Sequence, residues 1–230
     1  MINMLYRIPY PNIMSVGVEL EGGISERALR YIEEKYWYTG RLDHGYDSSV
    51  DVDPPDTSYN WIYNVEIKFW SEDMSELLNF VKDLFINGFR QNSTCGNHHH
   101  IIFKNHPVVV TAFSNPTAVK AFIRRYEKFA KQMQNLYGTE KYIRRLNNNY
   151  CKKPRNNYEL YRNIVGYERY YAVNFRSLLW HRTLEIRILP HARNYVEFER
   201  MHLWLCRTLN SLVDTLLKKT DKLVTVEVSI

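Results

Sequence analysis

A chain of 230 residues with 45% hydrophobic and 24% charged content can bury one substantial core, which excludes a disordered or fibrous class and points to a single domain over residues 1–230. No apolar run reaches the ~18–20 residues of a membrane span, and the first residues lack the basic-then-apolar pattern of a signal peptide. The net charge of +6 favours anionic partners without choosing among nucleic acid, nucleotide and acidic metabolite.

Cys95, Cys151 and Cys206 are irregularly spaced, so neither a disulfide framework nor a Cys-x-x-Cys metal site is indicated, and a reducing, cytoplasmic setting is expected. Arginines gather between Arg124 and Arg193, and the chain's 18 tyrosines are many for its length; tyrosine interleaved with arginine keeps nucleic-acid binding open as a rival reading.

Ile13 to Leu20 reads as a strand, interrupted by Gly17, a residue that marks a bulge or a close backbone approach. Gly22-Gly23 is expected to end it. Ser25 is a good helix N-cap, and Ala28, Leu29, Ile32 and Tyr36 then repeat at helical spacing until Gly40. Leu42 to Thr57 is acidic and turn-rich, and reads as a solvated loop in which Asp47-Ser-Ser is a short strand or turn beside the site.

Tyr59 to Trp70 predicts a strand that sets Glu66 between Val65 and Ile67. Ser71 is expected to cap the next helix, whose stripe is Met74, Leu77, Leu78, Val81, Leu84 and Phe85, closed by Gly88. The loop from Gln91 leads into Cys95-Gly-Asn-His-His-His-Ile-Ile-Phe103, a strand with His98 and His100 on one face and His99 on the other.

Helical pattern resumes at Pro107 and restarts at Asn115-Pro116, with Ala118, Phe122, Tyr126, Phe129, Met133 and Leu136 on one face and a stop at Gly138. Thr139 to Tyr158 is polar, basic and partly irregular. Arg169 to Arg176 predicts a strand and Ser177 to Arg182 a turn. Thr183 to Leu189 is then the second arm of an antiparallel hairpin, ended by Pro190. A long helix from about Tyr195 to Lys218 and a final edge strand at Leu223–Ser229 complete the chain. The order predicts an α+β fold, a largely antiparallel curved sheet with helices packed on one face and the polar face left for a site.

Three strands far apart in sequence each aim a pair of ionisable groups the same way: Glu19 with Glu21, His98 with His100, and Glu185 with Arg187. With Glu66 they make an inventory suited to metal ions and phosphate. Converging carboxylates repel unless a cation neutralises them. Hard divalent ions take oxygen ligands, so Mg²⁺ is expected, and an added histidine suits Mn²⁺ also. Taken singly, each of these residues has a plainer reading: a glutamate on a solvent face, a hydrogen-bonded strand histidine, a Glu–Arg salt bridge. In a phosphate site, Arg187 would hold a phosphoryl oxygen, and Arg144 and Arg145 are further phosphate candidates. Cys95 as a nucleophile accounts for none of the carboxylates, and no Gly-rich phosphate loop occurs.

At these residues the chain resembles the amidoligase family, carboxylate–amine ligases of glutamine synthetase-like fold. The matching pieces are Gly17-Val-Glu-Leu-Glu21, Asp47-Ser-Ser, Glu66-Ile67 and Cys95-Gly-Asn-His-His-His-Ile101. Arg145 through Asn149-Tyr-Cys151, Tyr170-Tyr-Ala-Val-Asn174 and Thr183-Leu-Glu-Ile-Arg187 follow in family order. The resemblance implies ATP-dependent amide-bond formation through an acyl phosphate, from small-molecule or peptide carboxylates and amines. It implies that Glu19, Glu21, Glu66 and Glu185 hold Mg²⁺ (Mn²⁺ as substitute), that His98 or His100 joins them or binds phosphate, and that Arg187 steadies the transferring phosphoryl group, with Arg144 and Arg145 the further candidates for nucleotide phosphate. Glu185, Arg187 and His98 are then the residues nearest the chemistry. The rival readings are a metal-dependent nuclease or phosphohydrolase using the same carboxylates, and a non-catalytic basic nucleic-acid-binding protein.

Overall fold

A computed structural model describes residues 9–52, 62–113, 116–145, 148–154 and 170–227, together with positions 159 and 162. It is an α+β fold around one sheet of six antiparallel strands in the order β2-β3-β1-β4-β6-β5. The strands are β1 (Ile13–Ser25), β2 (Leu42–Tyr46), β3 (Ile62–Ser71), β4 (Gly96–Phe103), β5 (Val173–Asn174) and β6 (Leu184–Pro190). The helices are α1 (Glu26–Tyr36), α2 (Met74–Ile86), α3 (His106–Phe113), α4 (Pro116–Tyr137), α5 (Lys141–Arg145), α6 (Phe175–His181) and α7 (Tyr195–Glu227).

Alternation divides the sheet into two chemically distinct faces. Val16, Val18 and Leu20 of β1 face the core with Val65, Ile67 and Phe69 of β3, Ile101 and Phe103 of β4, and Leu184, Ile186 and Ile188 of β6. Helices α1, α2 and α7 pack on this face, and α3 adds Val109 and Phe113 to the same core. Phe69 stacks on Phe80 of α2 with ring centroids 4.1 Å apart and meets Tyr36 of α1 edge-on. His99 lies against Phe198 and His202 of α7. Outside α7, Phe129 of α4 stacks on Trp204 at 4.3 Å. The expectation of helices on one face holds for these elements, whereas α5 and α6 sit at the rim of the polar face, where their side chains enter the cleft described below.

Several local expectations are corrected. Gly22-Gly23 does not end β1, which continues to Ser25. A Cβ at Gly22 would lie 2.5 Å from the Arg90 carbonyl oxygen and 2.6 Å from Phe89 Cε2, so this glycine marks the close backbone approach. Gly17 marks neither that nor the bulge, which falls between Ile13 and Ser15. Part of the supposed acidic loop is β2, and Val50 and Val52 behind it are buried. Thr57, the end of that predicted loop, and the start of the predicted Tyr59–Trp70 strand lie outside the described residues.

The cap of α2 is Asp73, whose carboxylate accepts from the backbone N–H groups of Ser75 and Glu76; Ser71 remains in β3. Leu136 is 58% exposed because the buried stripe of α4 runs through Ala130 and Met133 and has passed it by the last turn.

The hairpin turn at Ser177–Arg182 is helix α6. Asn174 caps it by accepting from the Arg176 N–H, and Arg182 closes it at φ +58°. Of the predicted Arg169–Arg176 strand, β5 retains Val173 and Asn174, and residues 163–169 lie outside the described set. The predicted final strand is helical as far as Glu227, and 228–230 are not described. No glycine or proline separates Lys218 from Val226, and extending an existing helix needs no new nucleus.

Candidate functional site

Strand register brings the polar pairs together. Glu19 of β1 is the cross-strand partner of both His98 on β4 and Lys68 on β3; Glu21 is opposite Glu66, and His100 is opposite Glu185 on β6. Directly opposed residues lie on the same face. Glu19, Glu21, Glu66, His98, His100, Glu185 and Arg187 therefore share one cleft, of volume about 1120 Å³, on the face away from α1, α2 and α7. Arg145 enters it from α5. Arg144 does not: its side chain is 80% exposed and pairs with Glu140, so this phosphate candidate is not brought to the cleft.

The cleft floor is a mesh of opposite charges. Glu185 is 5% exposed; its Oε1 accepts from Arg187 Nη1 at 2.5 Å and its Oε2 from Asn174 Nδ2 at 2.5 Å. Burial alone would raise its pKa, but the charges of Arg187, His100 and His98 outweigh that and hold the carboxyl below its ordinary range. Glu19 is half-buried, and contacts from His100 and His98 override the desolvation penalty to keep it well below the usual carboxylate range. Both glutamates are thus anionic, the state a metal ligand requires. Burial opposes charge on His100, yet the contact with Glu19 raises its pKa.

His98 is held tightly and left unsatisfied. Its side chain is 2% exposed, with Nδ1 3.5 Å from Glu19 Oε2 and Nε2 3.5 Å from Glu21 Oε1. His100 Nε2 lies 3.2 Å from Glu19 Oε1 without the alignment of a hydrogen bond, while its Nδ1 contacts Thr183 Oγ1 at 3.1 Å. His98 Nδ1 and His100 Nε2 are buried nitrogens with no hydrogen-bond partner, a costly condition unless another ligand satisfies them.

Donor atoms within 4.8 Å of one another form three overlapping groups among the described residues: Glu19–His100–Glu185, Glu19–Glu66–His98 and Glu21–Asp47–Glu66. Carboxylate-rich sets with a histidine fit Mg²⁺ or Mn²⁺, and the orphaned imidazole nitrogens fit the same ions.

Sequence reasoning missed several residues of the cleft. Lys68 Nζ lies 2.9 Å from Glu66 Oε1 and 3.8 Å from Glu19 Oε1; burial works against its charge, but Glu66 and Glu19 raise its pKa. Its same-face spacing from Glu66 was the available signal. Asn174 combines two roles, capping α6 and donating to Glu185.

Asp47, expected only beside the site, lines it from a turn pinned by Ser49 N–H donating to its Oδ1 at 2.8 Å. Trp180 and Tyr150, 74% and 60% exposed, stand on its border. Gly96 allows Arg145 to approach β4, since a Cβ there would lie 3.2 Å from Arg145 Cζ. Arg145 Nε and Nη2 donate to the Arg187 carbonyl at 3.2 and 3.1 Å.

His99 faces the core, with Nε2 3.0 Å from His202 Nδ1. Cys95 is 1% exposed and burial pushes its thiol upward, which makes it a poor nucleophile. No helix among the described residues is long and apolar enough to cross a membrane. No family model, curated protein or solved structure matches the chain.

Proposed function

We propose that the cleft is the active site of an ATP-dependent carboxylate–amine ligase, with the glutamine synthetase-like fold that the ordered motifs suggest. The observation that carries the reading is the meeting of four glutamates, two histidines and Arg187 in one cleft, with Arg145 beside them. Glu19, Glu21, Glu66, Glu185 and His98 would hold Mg²⁺ or Mn²⁺, which supplies charge neutralisation for a bound triphosphate.

In this reading the substrate carboxylate attacks the γ-phosphorus, ADP leaves, and an amine then displaces phosphate from the acyl carbon with loss of a proton. Arg187 and Arg145 steady the transferring phosphoryl group. Glu185 keeps the Arg187 guanidinium aimed, and His98 and His100 supply nitrogens next to the anionic glutamates. The volume of about 1120 Å³ accommodates a nucleotide together with a second substrate.

A two-metal phosphohydrolase is the second reading, favoured by Glu19 being common to two of the candidate ligand groups. The carboxylate floor counts against a simple nucleic-acid-binding groove. The deciding experiment is ATP consumption with mixtures of carboxylates and amines. ADP release that requires both co-substrates supports the ligase. Phosphate release from phosphoesters without an amine supports the hydrolase. The absence of any Mg²⁺-ATP effect on melting temperature at millimolar nucleotide would reject ATP use.

A further inference from the structure

The cleft already contains a cation of its own. Lys68 rises from β3 directly opposite Glu19 and two residues beyond Glu66, so its place on this face is set by strand register rather than by a loop. Its ammonium touches Glu66 at 2.9 Å and stands 3.8 Å from Glu19. Those carboxylates are two members of the Glu19–Glu66–His98 group. The third member, His98, is 2% exposed and keeps Nδ1 without a hydrogen-bond partner, aimed at Glu19, so this group is both built for a further ligand and partly filled.

We propose that the Lys68 ammonium is a tethered cation that occupies the Glu19–Glu66–His98 position, and that a divalent ion enters there only by displacing it. The inference rests on the metal-binding half of the function proposed above. With its side chain 41% exposed, Lys68 has room to withdraw into the cleft. Lys68 then regulates the site: it keeps the carboxylates from repelling one another when metal is scarce and sets the concentration at which the last ion binds. The Glu19–His100–Glu185 and Glu21–Asp47–Glu66 groups are the ones that fill first, since the ammonium contacts one carboxylate of each rather than two.

The test is titration with Mn²⁺ alone, read from the electron paramagnetic resonance of free ion, on wild type, Lys68→Met and Lys68→Arg, each checked for folding by circular dichroism. Lys68→Met is expected to tighten the weakest Mn²⁺ site at least about tenfold, because one positive charge no longer competes, and Lys68→Arg to stay near wild type. Adding Glu66→Gln to Lys68→Met should remove the gain.

If Lys68→Met does not fold, Lys68→Gln, which keeps a donor for Glu66, takes its place. Equal affinities in wild type and the neutral variant overturn the proposal, as does failure of both to bind Mn²⁺. ATP consumption is scored separately: tightened Mn²⁺ binding with no turnover keeps the role of the lysine and rejects the ligase.

Discussion

Arg187 Nη1 donates to Glu185 Oε1 across 2.5 Å from two positions further along the same strand, and both side chains are close to buried, at 11% and 7% exposure. This pair links the carboxylate floor to the cationic side of the cleft. Glu185→Gln keeps the shape and the Asn174 neighbour but removes the charge that aims the guanidinium. ATP turnover is expected to fall at least about 10²-fold, the scale for losing one preorganised electrostatic contact. Stability should fall by about 1–3 kcal/mol. A coupled ADP assay and urea unfolding measure the two, and unchanged turnover in the variant would remove Glu185 from the site.

The overlap of the ligand groups ranks the glutamates. Glu19 belongs to two of the three groups and Glu21 to one. Glu19→Gln should therefore weaken Mn²⁺ binding more than Glu21→Gln does, by at least about tenfold in affinity, on the scale of a charged ligand lost from a hard-cation site. Calorimetric titration of the two variants gives the comparison, and the reverse ranking would contradict the proposed sharing.

Two glycines on one strand should respond differently to alanine. At Gly17 the new methyl would meet its neighbours at 3.5 Å, ordinary contact, whereas at Gly22 it would enter the space of Phe89 and the Arg90 backbone. Gly22→Ala should cost about 1–3 kcal/mol, as overpacking does, and Gly17→Ala less than about 1 kcal/mol. Urea unfolding of both settles it. Equal costs would mean that the Phe89 segment yields freely.

The histidines on the core side make stability pH-dependent. Burial pushes His202 down to about 3, and His99 falls well below its ordinary value, first through burial and then through the neighbouring His202. Both stay neutral in the folded chain, while the unfolded chain takes up protons below about 6.5. Their contribution is whole above that pH and is lost as pH falls towards the folded values, at up to about 1.4 kcal/mol per pH unit for each histidine. His202→Leu should lower the slope of unfolding free energy between pH 6 and 4 by about that amount. Denaturant unfolding across this range is the check, and an unaltered slope would show His202 protonated in the native state.

What could be read beforehand followed from the exact period of a strand. Once Glu19/Glu21, His98/His100 and Glu185/Arg187 are placed on strands, parity alone fixes that each pair shares a face. Which strands lie side by side is a long-range matter, and nothing near Glu19 in the sequence says that Lys68 and His98 flank it. Short elements were the other loss. Residues 175–181 are too few for a helical period to show, and the decisive signal was the capping side chain of Asn174. At the C-terminus the alternation after Leu223 competed with a helix already formed, and propagation prevailed. Arg144 and Arg145 differ by one position on α5, and only the turn of that helix sends one to solvent and the other inward.

The central strand has one more effect. β1 is paired on both edges, with β3 from Val16 to Ser25 and with β4 from Ile13 to Leu20, so Glu19 is carried by a backbone clamped from both sides. Amide hydrogens there should be among the slowest in the protein to exchange with heavy water. The carboxylate of Glu19 thus stands on a stiff anvil, whereas Tyr150 and Trp180, on the border of the same cleft, stand in solvent.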